Sequence, residues 1–185
     1  MSDSSAERRM LLGTVGWDGP AWSDSYFPPD LPEDWRLAYY ANDASCVLVP
    51  ADQWCGVPAA PLAVLLDELP QGLVFFLELP PGGGPQGLEN LELFAAHDVV
   101  LLVEEGDTTM SSCQKWVAQG PNVWADTGSD RQLVRWSVDT WDLRRLSNEI
   151  KSLGGCTMAL VLDGPAANPG KLPELQTLLQ LLGRA

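Results

Sequence analysis

The sequence is poor in positive charge. Its 185 residues include 11 lysines and arginines against 25 aspartates and glutamates, which gives a formal net charge of −14. Phosphate backbones and anionic lipid surfaces are bound by clustered basic side chains, whose binding releases counterions. The shortage therefore argues against nucleic acid and membrane as partners, and the simplest interpretation of the charge is solubility.

Long apolar runs are lacking as well. No run approaches the roughly 20 residues of a membrane span, and the opening MSDSSAERR has no apolar core of the kind found in signal peptides. We therefore expect a cytoplasmic protein.

The cysteines, the histidine and the glycine-containing motifs give little indication of a metal, catalytic or nucleotide-binding site. The four cysteines (Cys46, Cys55, Cys113 and Cys156) form no C-x-x-C pair, and all but Cys55 lie in or beside apolar runs, so buried free thiols are favoured over a zinc site or disulfides. The single histidine, His97, offers no credible Ser-His or Cys-His pairing. Because no G-x-G-x-x-G or G-x-x-x-x-G-K-[ST] follows a predicted strand, we predict no cofactor.

What the sequence does contain is a regular alternation of strand and helix patterns. Short runs dense in valine, leucine and aromatics predict seven strands, at 10–15, 45–49, 73–79, 98–103, 122–125, 132–138 and 156–162. Helical spacing falls between them, at 34–42, 61–69, 87–96, 111–119, 140–153 and 171–182. The pattern predicts one α/β domain over residues 1–185, with a flexible amino terminus at 1–9. Its parallel sheet is either doubly wound or a closed barrel.

A group of motifs near the start resembles a known family. The matching positions are Gly13-Thr14-x-Gly16-Trp17, then Trp22, Tyr26-Phe27-Pro28, Trp35 and Leu37-Ala38-Tyr39-Tyr40-Ala41. They are similar to the opening of the YecE-like family of uncharacterised TIM-barrel proteins (domain of unknown function 72). The tail is similar too, with Val134-Arg135 in the penultimate strand and Asn168 before a final leucine-rich helix. The resemblance implies a TIM-barrel-like parallel barrel with helices outside.

Two departures from the family pattern shape the expectations. Family members are longer, and seven predicted strands leave the barrel one short, with the missing unit placed around Leu73 to Ala96. We therefore expect the exposed edge to be covered by a loop from Pro80 to Gly87 or by a homodimer. The second departure is chemical, because Leu48, Pro50 and Gly106 stand where the family carries polar side chains.

Polar residues at predicted strand ends are the candidate site. In a parallel barrel this end carries the catalytic groups, which makes Glu104, Asp126, Arg135 and Asp163 the candidate catalytic residues, with Glu78 and Glu105 as possible additions. Arg135 is the only basic residue within a predicted strand. By the two-residue period it shares a face with Leu133 and Ser137, so it either points into the barrel to pair Glu104 or Asp126 or extends outward into solvent. The family resemblance implies the inward orientation. Asp126 and Asp163 also precede turns, where an aspartate often caps backbone amides without any catalytic role.

The candidate ligand-binding residues surround the same end. Trp17 and Trp22 either wall the mouth of the barrel or plug its end as core, and Trp54 and Asp52 follow the second predicted strand. No metal site is predicted, although an oxygen-only cluster would suit Mg²⁺ or Ca²⁺.

Three functions remain open at this stage. The first is a degenerate barrel that binds a small ligand or a protein partner without catalysis. The second is a divergent carboxylate-dependent hydrolase acting on phosphoesters or glycosides. The third is a structural partner of a full-length relative.

Overall fold

The computed structural model describes residues 9–67, 69–80, 88–109 and 111–184, and its strands alternate with helices at both ends of the chain. The strands are β1 (Leu11–Thr14), β2 (Cys46–Val49), β3 (Val74–Glu78), β4 (Asp98–Val103), β5 (Gln114–Gly120), β6 (Val123–Asp126), β7 (Gln132–Ser137) and β8 (Thr157–Asp163). The α-helices are α1 (Ser23–Tyr26), α2 (Arg36–Tyr40), α3 (Ala51–Trp54), α4 (Ala59–Asp67), α5 (Leu143–Ser152) and α6 (Leu172–Leu181). Short 3-10 helices form at Glu33–Trp35, Leu88–Phe94 and Pro169–Lys171.

The strands form one nearly closed, barrel-shaped sheet. Its order is β1-β8-β7-β6-β5-β4-β3-β2, and every pair is parallel except the two that involve β6. Helices lie outside, so the predicted TIM-barrel-like α/β fold is confirmed. The predicted count of about seven strands is wrong, because the described residues contain eight.

The missed strand is β5, which lies where the sequence predicts a helix at 111–119. It pairs in parallel with β4 and then turns through Pro121 and Asn122 into the antiparallel strand β6. Asn122 has a φ of 65°, in the left-handed region that asparagine tolerates in tight turns. A hairpin therefore stands where a regular barrel would have a strand, a helix and a parallel strand.

Two apolar layers hold the barrel together. The inner layer fills the barrel and includes Leu48, Phe76, Trp116, Leu133 and Val161. The outer layer lies between the strands and the helices, and its strand residues alternate with those of the inner layer, as the two-residue period of a strand requires.

The seam between β1 and β2 is closed by side chains as well as backbone. Val15 and Leu48 form an isolated parallel bridge. Beside it, the buried Tyr40 hydroxyl accepts a hydrogen bond from Thr14 N at 2.8 Å and donates one to the Cys46 carbonyl at 2.9 Å. The hydroxyl thus takes the place of a direct backbone bond between the two strands.

The glycines of the opening motif serve the same seam. A Cβ on Gly13 would lie 2.0 Å from the Cys46 carbonyl oxygen, so only glycine allows β2 to approach this closely. Thr14 Oγ1 donates to the Gly16 carbonyl at 2.7 Å, and Gly16 has a φ of 67°. The residues that carry the family resemblance most strongly therefore close the barrel.

Several predictions fall on other parts of the chain. Apart from Arg9, the predicted flexible segment 1–9 lies outside the described residues, and so does most of the predicted covering loop at 80–87. The four cysteines are free, with Cys46 buried and the others half-buried. Within the described ranges, no helix is both long and apolar enough to cross a membrane.

Candidate functional site

The carboxyl ends of the parallel strands bring a set of charged side chains to one end of the barrel. Glu78 ends β3, Asp163 ends β8, and Arg135 lies in β7, all on the face of their strands that points inward. Glu104 follows β4, and Asp52 lies in α3 just after β2. We call these five residues the mouth.

Arg135 is the centre of the mouth. Its Nη2 lies 2.8 Å and its Nε 2.9 Å from Oδ2 of Asp163, and its Nη1 lies 3.4 Å from Oε1 of Glu78. The predicted inward orientation is confirmed, but the partners are Glu78 and Asp163 in place of Glu104 or Asp126. The Arg135 side chain is 28% exposed, so solvent reaches the guanidinium and weakens these pairs relative to fully buried ones.

Asp163 is positioned by the backbone as well as by Arg135. Its Oδ1 accepts a hydrogen bond from Gly164 N at 2.7 Å. Gly164 has a φ of 93°, and a Cβ there would lie 3.0 Å from the Val138 carbonyl oxygen. This glycine therefore allows the sharp turn that places the carboxylate beside the guanidinium.

Glu78 is half-buried in the mouth, and its negative charge is only partly compensated. Burial raises its pKa, Arg135 lowers it, and the nearby charges of Asp163, Asp52 and Glu104 raise it again, with a net upward shift. Its backbone is fixed because Trp54 Nε1 donates to the Glu78 carbonyl at 2.9 Å. One guanidinium thus faces four carboxylates, which leaves the mouth with excess negative charge.

An open cleft of about 680 Å³ adjoins Arg135. Its walls include Glu104 and Glu105 after β4, Asn122 in the β5–β6 turn, and the half-buried Trp124 of β6. Arg135 N donates to the Asn122 carbonyl at 2.8 Å, so the turn is tied to β7. We refer to this space as the mouth cleft.

The predicted position of Asp126 at the mouth is wrong. Because β6 runs antiparallel, its carboxyl end lies beside the beginnings of β5 and β7, at the opposite end of the barrel. There its carboxylate accepts four hydrogen bonds, from Gln114 Nε2 at 3.0 Å, Gly128 N at 3.1 Å, Ser129 Oγ at 2.7 Å and Arg131 Nη2 at 2.8 Å. We call this group the base cluster.

Two of the predicted tryptophan walls are buried. Trp54 is 0% and Trp22 5% exposed, and a ligand-binding role for either residue stays a prediction. Trp22 packs edge-on against Tyr26, with ring centroids 5.8 Å apart. Trp17 is half-buried against the outer apolar layer, and Asp52 is exposed, so a ligand-binding role for these two residues stays a prediction.

The sequence analysis missed part of the mouth and of the mouth cleft. Asn122 and Trp124 were not predicted to contribute, and Glu78 entered only as an addition. The sequence does predict the strand that contains Trp124, but the end of the barrel at which Trp124 lies depends on the reversed direction of β6.

Among the described residues, no three histidine, cysteine or carboxylate side chains converge closely enough to hold a metal ion.

Fold and mouth together define a TIM-barrel-like protein with a charged, partly open mouth. No family model and no curated protein matches the sequence. Among solved structures, the fold is similar to the crystal structure of a DUF72 family protein from Thermotoga maritima MSB8, with a TM-score of 0.48 and 10% identity over 95% of this chain and 99% of that chain. DUF72 is the family whose motifs the sequence resembles.

Proposed function

We propose that this chain binds a small ligand at the barrel mouth without turning it over. The observation that supports the proposal is the mouth cleft, an open space of about 680 Å³ beside a partly exposed arginine. Concave sites that combine an aromatic ring with a few convergent polar groups are typical ligand sites. The carboxylates of Glu104 and Asp52 have no hydrogen-bond partner among the described side chains, so they are available to a ligand.

The absence of turnover is proposed because the catalytic set is incomplete. Asp126, one of the predicted catalytic residues, lies at the other end of the barrel. Arg135 is occupied by Asp163 and Glu78. Leu48 and Pro50 place apolar groups at the end of β2, where the family that the sequence resembles carries polar side chains.

Other parts of the prediction remain open beside this proposal. A protein partner at the same mouth and a homodimer both stay predictions, as does a cytoplasmic location. The shortage of basic side chains still argues against nucleic acid.

The proposal is tested by nuclear magnetic resonance on ¹⁵N-labelled protein, with a set of small neutral, cationic and anionic compounds. We expect at least one compound to shift the Trp124 indole and Asn122 amide signals while the exposed Trp35 indole stays unchanged. Trp124→Leu should weaken that response, and Trp35→Leu is the matched control. Responses confined to another surface, or no response from any compound, would contradict binding at the mouth.

A carboxylate-dependent hydrolase is the second candidate. It is favoured by Glu78, whose pKa is raised by burial and which shares the Arg135 guanidinium with Asp163. A protonated carboxyl group near an ionised one is the arrangement of acid and base in many glycosidases. In this function Glu78 would donate a proton to a leaving group, and Asp163 would act as nucleophile or base.

Kinetic assays separate the two functions. We expect no hydrolysis of p-nitrophenyl glycosides or p-nitrophenyl phosphate above the level of a Glu78→Gln variant. Turnover by the unsubstituted protein that is lost in Glu78→Gln but kept in the surface control Glu89→Gln would favour the hydrolase.

A further inference from the structure

We infer that the ligand of the mouth cleft is a small organic cation, an amine or guanidinium compound, held between Glu104 and the ring of Trp124. The inference rests on the proposed function and adds the chemical class of the ligand. It follows from three properties of the cleft: which of its charges are already paired, what its aromatic wall offers, and the charge of the whole molecule.

Among the described residues of the cleft wall, Arg135 is the one positive charge, and it is already paired. Arg135 contacts Asp163 at 2.8 Å and Glu78 at 3.4 Å. By contrast, Glu104 and Glu105 line the cleft, are exposed, and have no side-chain partner among the described residues. An anionic ligand would meet this uncompensated negative charge, whereas a ligand with N–H donors would find two unoccupied carboxylates.

Trp124 supplies a second feature that suits a cation. It lies opposite Leu133 in the β6–β7 pairing, and Leu133 belongs to the inner layer, so the indole is on the inward face. The ring is half-buried and lines the cleft. Tryptophan is the aromatic side chain that attracts cations most strongly, and a partly desolvated face increases the attraction.

The charge of the whole chain acts in the same direction. With a formal net charge of −14, the long-range field attracts cations and repels anions at ordinary ionic strength. Asn122, in the turn beside Trp124, adds a side-chain amide that can accept a hydrogen bond from an ammonium or guanidinium group.

The test uses three probes of equal chain length: 1,4-diaminobutane, 1,4-butanediol and succinate. Each is titrated into ¹⁵N-labelled protein at low salt. We expect the diamine to shift the Trp124 indole and Asn122 amide signals with saturation, and the diol and succinate to bind at least about tenfold more weakly. Agmatine, which carries a guanidinium group, should shift the same two signals.

Two pairs of variants locate the interaction. Glu104→Gln should weaken diamine binding by roughly tenfold, whereas Glu89→Gln removes the same charge from an exposed site elsewhere and should leave it unchanged. Trp124→Leu should weaken binding several-fold, with Trp35→Leu as its control.

The outcomes separate this inference from the proposed function. If the diol or succinate binds the cleft as tightly as the diamine, or if Ca²⁺ alone binds more tightly, the ligand class is wrong and the mouth remains a binding site. If the diamine binds equally well to Glu104→Gln and Glu89→Gln, its attraction is general and the inference fails. If neither these probes nor the broader compound set shifts Trp124 or Asn122, both proposals fail.

Discussion

The two ends of the barrel hold carboxylates in opposite situations. At the base cluster, Asp126 is 9% exposed and accepts four hydrogen bonds. Those from Ser129 and Arg131 lower its pKa most, to about 2. At the mouth, Glu78 has one contact to Arg135 at 3.4 Å, and burial raises its pKa.

The difference distinguishes a structural carboxylate from an available one. A buried carboxylate with a full set of donors stabilises the fold, because ionisation is easier there than in the unfolded chain. A carboxylate that is buried among other negative charges gains little from folding in its ionised form. Excess negative charge of this kind favours the binding of a ligand that neutralises it.

The largest effect is expected from Asp126→Asn. The substitution replaces a carboxylate oxygen that accepts from Arg131 and Ser129 with an amide, so several donors at the base lose their acceptor. We expect the free energy of unfolding at neutral pH to fall by about 2 kcal/mol, measured by urea denaturation. Asp67→Asn, at the exposed end of α4, is the control, and equal effects of the two substitutions would remove the structural role of the base cluster.

A smaller loss is expected from Arg135→Ala. The side chain is 28% exposed, so the loss of its two pairs should lower the free energy of unfolding by about 1 to 2 kcal/mol, less than for a fully buried pair. The pKa of Glu78 should rise further, because the guanidinium that lowers it is removed.

The exposed substitution Arg144→Ala in α5 is the control for Arg135→Ala. A change below about 0.5 kcal/mol for Arg135→Ala, as is usual for a surface residue, would contradict its central position in the mouth.

The smallest change in stability is expected from Glu78→Gln. It removes the repulsion from Asp163, Asp52 and Glu104 together with the single contact to Arg135. We expect no loss at neutral pH, and a gain of up to about 1 kcal/mol. A loss comparable to that of Asp126→Asn in the same denaturation assay would show that the mouth and the base do not differ in the way described.

Seven of the eight strands are predicted close to their observed bounds, and the clearest of them have apolar residues on both faces. A parallel strand covered by helices reads as a continuous apolar run, which is why β2, β3 and β8 were found close to their observed bounds. β5 was missed because its apolar residues are few and lie among polar ones, and the spacing of Cys113, Trp116 and Val117 also fits a helix.

The sequence predicts only those features of the site that depend on one strand at a time. The two-residue period placed Arg135 on the same face as Leu133 and Ser137, and the family resemblance favoured the inward direction. The carboxyl ends of β4 and β8 placed Glu104 and Asp163 at the mouth. The neighbours of each strand depend on sheet order and direction, which no local pattern contains. The reversal of β6 therefore moved Asp126 to the base and brought Trp124 to the cleft.

The most direct test of the contrast between the two ends is the free energy of unfolding as a function of pH for Asp126→Asn, Glu78→Gln and the unsubstituted protein. The lowered pKa of Asp126 gives stability that is complete above its unfolded pKa near 3.8 and is lost as the pH falls toward about 2. The deficit of Asp126→Asn should therefore shrink over that interval. The raised pKa of Glu78 acts oppositely, so the unsubstituted protein should lose stability relative to Glu78→Gln as the pH rises above about 4.5. If both differences change with pH in the same direction, the contrast between a satisfied base and an uncompensated mouth is wrong.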